Sequence, residues 1–108
     1  MSYVPDAGDI VWLEFSPQAG HEQAGRRPAL VLSPAVYNDR AGLFICCPLT
    51  TKIKGYPFEV AISGQPANVA LADQVRSLDW RIRKAAYKGK ATPEEIEAVR
   101  KIARLLVG

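Results

Sequence analysis

The chain has 108 residues, 48% of them hydrophobic and 23% charged, with 14 basic and 11 acidic side chains and a net charge of +3 when its single histidine is neutral. At this length that composition suits one small domain with one core; the apolar content is too high for a disordered segment. No stretch approaches the ~20 apolar residues of a membrane span, and the opening MSYVPDAGD lacks the basic start and apolar run of a secretory leader, so residence in the cytoplasm is expected.

In chain order, the first two-thirds reads as β. Residues 9–15 (DIVWLEF) form an apolar, β-branched and aromatic strand entered through Pro5 and Gly8. Residues 29–33 form a second strand, closed by Pro34, and Asn38, Asp39 and Gly42 read as a turn. Residues 43–49 form a third, and residues 58–62 a fourth in which Phe58, Val60 and Ile62 share a face. Residues 69–75 make a fifth, and residues 80–86 a shorter, more polar sixth that can run on to Lys88. The strongest local signal comes last. Thr92 at an N-cap, Pro93 at the first helical position and Glu95 three residues after the cap form a capping box. Ile96, Val99, Ile102, Ala103 and Leu106 then recur at helical spacing. Five to seven short strands with a packed terminal helix point to an SH3-like, partly open β-barrel spanning residues 1–108.

Cysteine and acid spacing narrow the chemistry. Cys46 and Cys47 are neighbours in one strand, so they face opposite ways and cannot form an ordinary disulfide. They read as structural thiols of a reducing compartment. One histidine, two adjacent cysteines and scattered single acids do not suggest a metal site, and neither metal nor cofactor is expected.

Two connections carry the polar chemistry. The first, SPQAGHEQAGRRP, is long for a link between neighbouring strands and holds His21, Glu22 and Gln23, then Arg26 and Arg27 between Gly25 and Pro28. It reads either as a solvated loop or as an anion site, because the arginine fork matches phosphate oxygens. The second, TTKIKGYP, offers the hydroxyls of Thr50 and Thr51 and the cations Lys52 and Lys54. Convergence of these groups would suit phosphodiester chemistry.

The stretches GDIVWLEF, HEQAGRRPALVLSP, CCPLTTKIKGYPFEV and ALADQVRSLDWR resemble the MazF/PemK family of toxin endoribonucleases, and the resemblance covers essentially the whole chain from Tyr3 to the terminal glycine. The resemblance implies a homodimeric SH3-like barrel that cuts single-stranded RNA, chiefly messenger RNA, at a short sequence. It also implies inhibition by a cognate antitoxin with an acidic, partly disordered segment. The family's functional arginine falls on Arg27, its threonine on Thr50 and its loop glutamate on Glu22, and Asn38 is placed near the substrate groove. Two positions depart from the pattern: Arg26 stands where some members have histidine, and His21 where a small polar residue is common.

On these expectations, Arg27 and Thr50 stabilise charge on the phosphoryl oxygens and Glu22 serves as base or orienter. His21 has a suitable unperturbed pKa for proton transfer but also reads as incidental. Gln23, Arg26, Asn38, Thr51, Lys52, Lys54, Gln74, Arg81 and Arg83 are candidate RNA contacts. Gln74 reads equally as a buried hydrogen-bonding group, Trp12 as core or interface, and Trp80, in a polar neighbourhood, as an interface residue ahead of a base-stacking one. Two alternatives are a gyrase-poisoning toxin of the same fold, without enzymatic activity, and an RNA-binding SH3-like module without catalysis. The charge is uneven: residues 1–75 carry −2, residues 76–90 carry +5 and the remainder cancels. A basic strand-and-turn region therefore stands available for RNA or an acidic peptide.

Overall fold

The computed structural model describes residues 2–15 and 25–108. Those residues form strands β1 (Asp9–Glu14) and β2 (Arg26–Val31), helix α1 (Ala35–Ala41), and strands β3 (Leu43–Thr50), β4 (Glu59–Ile62), β5 (Asn68–Leu71), β6 (Arg76–Asp79) and β7 (Ala86–Lys90). Helix α2 (Pro93–Val107) follows. The strands make one antiparallel sheet in the order β4-β5-β3-β2-β1-β7, and β6 also pairs with β3. The long β3 organises the curl. Leu43–Cys46 pairs with β6, residues 46–48 pair with β2, and Leu49 and Thr50 pair with β5.

Alternation along the strands divides the apolar side chains between two faces. One face carries Ile10, Leu30, Cys47, Leu49, Val60 and Ala70, and the stripe of α2, with Val99 fully buried and Ile96 and Ile102 beside it, packs over that face. The other carries Val11, Leu13, Phe15, Val31, Phe44, Cys46, Leu78 and Trp80. The two cysteines point to opposite clusters, as strand geometry requires. Burial pushes the Cys46 thiol up to about 12 and Cys47 likewise up, so both pack as neutral groups. The α2 capping box is present in full: the Thr92 hydroxyl accepts the Glu95 N–H at 3.1 Å and the Glu95 carboxylate accepts the Thr92 N–H at 2.9 Å.

Three expectations need correction. First, β2 begins three residues early, so Arg26 and Arg27 lie in the sheet, where their cross-strand partners are Glu14 and Leu13. Second, residues 35–41 form a helix where a turn was expected, and Gly42, at φ 70°, ends it by donating its N–H to the Asn38 carbonyl. Third, residues 80–84 form a turn and no strand. The Asp79 carboxylate accepts the N–H groups of Arg81 (3.1 Å) and Ile82 (3.0 Å), which breaks the extended path after β6. The fifth strand, expected to reach residue 75, stops at Leu71, whose carbonyl accepts the Gln74 N–H at 3.0 Å as the chain turns toward β6.

A buried carboxylate ties the start of the chain to its far strand. Asp9 accepts hydrogen bonds from the Tyr3 hydroxyl (2.6 Å), the Asp6 N–H (3.0 Å) and the Lys90 ammonium (2.8 Å). Burial pushes the Asp9 carboxyl up, but the bonds from Lys90, Tyr3 and Asp6 together outweigh it and hold it below the ordinary carboxylate value. A depressed carboxylate adds stability above its unfolded pKa of about 4, and that contribution is lost as pH falls through the folded value. The urea midpoint is therefore expected to drop with acid below about pH 4, and Asp9→Asn to flatten that limb. An unchanged acid slope in the variant would show that Asp9 contributes nothing to it.

Candidate active site

The two main candidate residues stand at strand ends, Arg27 at the start of β2 and Thr50 at the end of β3. The recorded pairs Ala29–Pro48, Leu30–Cys47 and Val31–Cys46 define an antiparallel register. The pairing ends at Ala29 and Pro48, so Arg27 and Thr50 each lie two residues beyond the same end of the β2–β3 ladder. Alternation along each strand puts both on the face of Val31 and Cys46, away from α2. Thr50 is buried, and its hydroxyl oxygen accepts the Lys52 N–H at 3.1 Å. That leaves the hydroxyl hydrogen to be donated to another acceptor. Arg27 is half-buried.

Beside Thr50 opens a groove of about 420 Å³. It is lined by Thr50, Lys52 and Lys54, by the rings of Tyr56 and Phe58, and by Glu59, Leu71, Asp73 and Gln74. The two rings lie 5.2 Å apart, centre to centre, at 32°, and Tyr56 is half-exposed. Cations interleaved with exposed aromatic faces can hold a phosphate backbone and stack bases. The string KIKGYPF carries that interleaving in the sequence, yet Tyr56, Phe58 and Glu59 were not expected as site residues. Gln74 is half-buried at the groove and its N–H donates to the Leu71 carbonyl.

The other candidates divide. Lys52 and Lys54 line the groove; Thr51 is exposed beside Thr50 without being part of the lining. The exposed Arg26 donates to the Lys84 carbonyl at 3.1 Å, and Arg83 donates to the Glu14 carbonyl at 3.0 Å. These two bonds dock the basic 80–84 turn against the ends of β1 and β2, so the acidic and basic parts of the chain adjoin there. Arg81 is directed elsewhere: it bonds the Asp39 carboxylate at 3.1 Å and stacks on Trp80, 4.5 Å from the ring centre. His21, Glu22 and Gln23 lie outside the described residues.

Asn38 is placed differently from its expected role at a substrate groove. Its side chain is fully buried, donating to the Pro5 carbonyl (2.8 Å) and the Ser33 carbonyl (2.9 Å) and accepting from the Ser33 hydroxyl (2.6 Å). With its amide spent on the fold, Asn38 has no exposed group to offer a substrate. Trp80 is likewise core, its indole N–H donating to the Asn38 carbonyl at 2.9 Å. Trp12 is partly exposed, with the Lys88 ammonium 5.3 Å from its ring centre.

Comparison with known proteins gives consistent findings. The family model of the PemK-like, MazF-like toxin of type II toxin–antitoxin systems matches residues 6–107. The endoribonuclease toxin MazF of Escherichia coli (strain K12) is 53% identical over 107 residues, which cover 98% of this chain and 96% of that protein. The crystal structure of MazF (Form-I) from Deinococcus radiodurans superposes with a TM-score of 0.94 at 54% identity, covering 99% of both chains. The MazE–MazF (Form-II) structure from the same organism gives a TM-score of 0.87 at 48% identity, covering 99% of this chain and 98% of that one.

Proposed function

The chain belongs to the PemK-like, MazF-like toxin family of type II toxin–antitoxin systems, and as an endoribonuclease of that family we propose that it cuts single-stranded RNA, chiefly messenger RNA, at a short sequence and without metal. The observation that supports this reading is the groove beside Thr50, lined by two lysines and two aromatic rings, with Arg27 just beyond the same end of the β2–β3 ladder. In the reaction, the ribose 2′-oxygen attacks its own phosphorus, forming the O2′–P bond as the P–O5′ bond breaks. One proton leaves the 2′-hydroxyl and one reaches the departing 5′-oxygen. The products are a 2′,3′-cyclic phosphate and a 5′-hydroxyl.

Arg27 offers two parallel N–H donors to the phosphoryl oxygens as charge accumulates there, and the Thr50 hydroxyl donates a further bond. A guanidinium stays protonated, which makes it a poor base. Glu22 is assigned as base or orienter, and His21 is a candidate RNA contact whose side-chain type can also transfer protons near neutral pH. Lys52 and Lys54 hold flanking phosphates, with Gln23, Arg26, Thr51, Gln74, Arg81 and Arg83 as candidates for further contact. The working form is a homodimer, and its inhibitor is a cognate antitoxin whose acidic segment competes for the RNA groove. The chain's relatives include proteins solved as MazE–MazF complexes, and this supports the assignment of an antitoxin partner.

The test is incubation of purified protein with a long mixed-sequence RNA in EDTA, with the fragment ends sequenced and their chemistry determined. Cuts at one short sequence with 5′-hydroxyl and cyclic phosphate ends are expected, and DNA of the same sequence should survive. RNA left intact in every context would refute the enzymatic reading and leave the binding-module or gyrase alternative. Ends bearing 5′-phosphate would rule out 2′-hydroxyl attack.

A further inference from the structure

Between Thr50 and β4 the chain makes a tight turn that displays Lys54 and Tyr56 on the groove. Gly55 sits at φ 81°, a left-handed conformation that lets successive backbone N–H groups converge on one point. The group at that point is the Glu59 carboxylate. It accepts the Lys54 N–H at 3.1 and 3.3 Å from its two oxygens and the Gly55 N–H at 2.9 Å. The Glu59 N–H in turn donates to the Tyr56 carbonyl at 3.1 Å, so side chain and backbone close the same turn. An ionised acceptor makes such bonds stronger than neutral pairs. The carboxylate thus stands at the groove and spends its lone pairs on the backbone of the residues that face it.

We propose that Glu59 is a positioning residue for RNA binding, its carboxylate holding the Lys54–Gly55 backbone so that Lys54 meets a phosphate and Tyr56 a base. This role rests on the reading of the groove as an RNA site. Its sign is opposite to that of simple electrostatics: an acid beside a polyanion repels it, so on charge alone Glu59→Ala would tighten binding. If the acid orders the turn, Glu59→Ala weakens binding despite the lost repulsion. Glu59→Gln, which keeps one oxygen acceptor for the Gly55 N–H but sets a donor against the Lys54 N–H, retains part of the binding.

The experiment measures kcat and KM on cleavable RNA, and Kd with a 2′-deoxy oligonucleotide that cannot undergo the reaction. For Glu59→Ala a rise of about tenfold in KM and Kd is expected with kcat within threefold, equivalent to the loss of one charge-assisted contact. The slope of log K against log salt should shrink by about 0.7, the share of one phosphate contact on a single strand. Glu59→Gln should fall between Glu59→Ala and the wild type in both KM and Kd. Gly55→Ala strains the left-handed position where an added Cβ meets no atom within 4 Å, and it should raise KM with Glu59 intact. It keeps the proposal testable if Glu59→Ala fails to fold. An active wild type with unchanged or tighter binding in Glu59→Ala overturns the positioning role alone. A hundredfold loss confined to kcat overturns it too, by moving Glu59 into the chemistry. A wild type that binds no RNA overturns the groove reading and this role together.

Discussion

Arg27→Ala is expected to lower the rate of RNA cleavage by about 10²–10³-fold, the range seen when one preorganised donor to a developing oxyanion is removed. The magnitude follows from the charge the reaction creates. Attack of the 2′-oxygen adds negative charge to a phosphate that already carries one, and the Arg27 fork can meet two phosphoryl oxygens at once. Arg27→Lys keeps the cation but loses the fork, so it should recover only part of the rate. Thr50→Ala removes one neutral donor to a charged group, worth roughly 10–100-fold. Single-turnover cleavage of end-labelled RNA, with a thermal melt on each variant, separates lost chemistry from lost fold. A folded Arg27→Ala protein that cuts within threefold of the wild type would remove Arg27 from the mechanism.

The distinction between local and distant determinants explains which parts of this fold could be read from the chain. Helix α2 announces itself within sixteen residues, because its cap, its proline and its apolar stripe are all local. The strands β1 and β3 stand out as apolar runs with β-branched and aromatic residues. The start of β2 does not, since two arginines before a proline look like loop, and it is the cross-strand register with Leu13 and Glu14 that makes them strand. Residues 80–86 alternate like a strand, but the Asp79 side chain captures two N–H groups, Lys84 adopts φ 57°, and a turn wins. At the site, the lysines and Thr50 were legible from the composition of one connection, and Arg27 from the resemblance and the chemistry of its fork. The partners of the other arginines were not, since Arg81 bonds Asp39 42 residues away and Arg83 bonds Glu14 69 residues away. The carboxylate of Glu59 escaped notice because what it binds is backbone, which sequence does not display.

Asn38→Ala is expected to be the most destabilising of the substitutions considered, by about 3–5 kcal/mol, and the reason lies in what the side chain leaves behind. Its amide serves the Pro5 and Ser33 carbonyls and the Ser33 hydroxyl, and that hydroxyl also accepts the Ile45 N–H at 2.8 Å. Truncation leaves two buried carbonyls without that donor and a hydroxyl without its acceptor, each lost partner costing roughly 1–3 kcal/mol when water cannot replace it. Helix α1 spans seven residues and buries Asn38 while Val36 and Tyr37 are exposed, so its other ties include exposed bonds, those of Arg81 to Asp39 and of the Ala35 N–H to the Asp6 carboxylate. Loss of Asn38 should therefore release α1 together with the Trp80 indole bonded to the Asn38 carbonyl. Against a total stability of about 5–15 kcal/mol for a domain of this size, the melting temperature should fall by more than about 12 °C. Trp80→Phe, which removes one donor and keeps most of the packing, should cost about 1–2 kcal/mol. The same measurements decide between the two roles considered for Asn38. A residue that contacts substrate would lose activity at unchanged stability when replaced by alanine. A buried plug loses stability first and, at temperatures where the variant remains folded, still binds and cuts RNA at close to the normal rate.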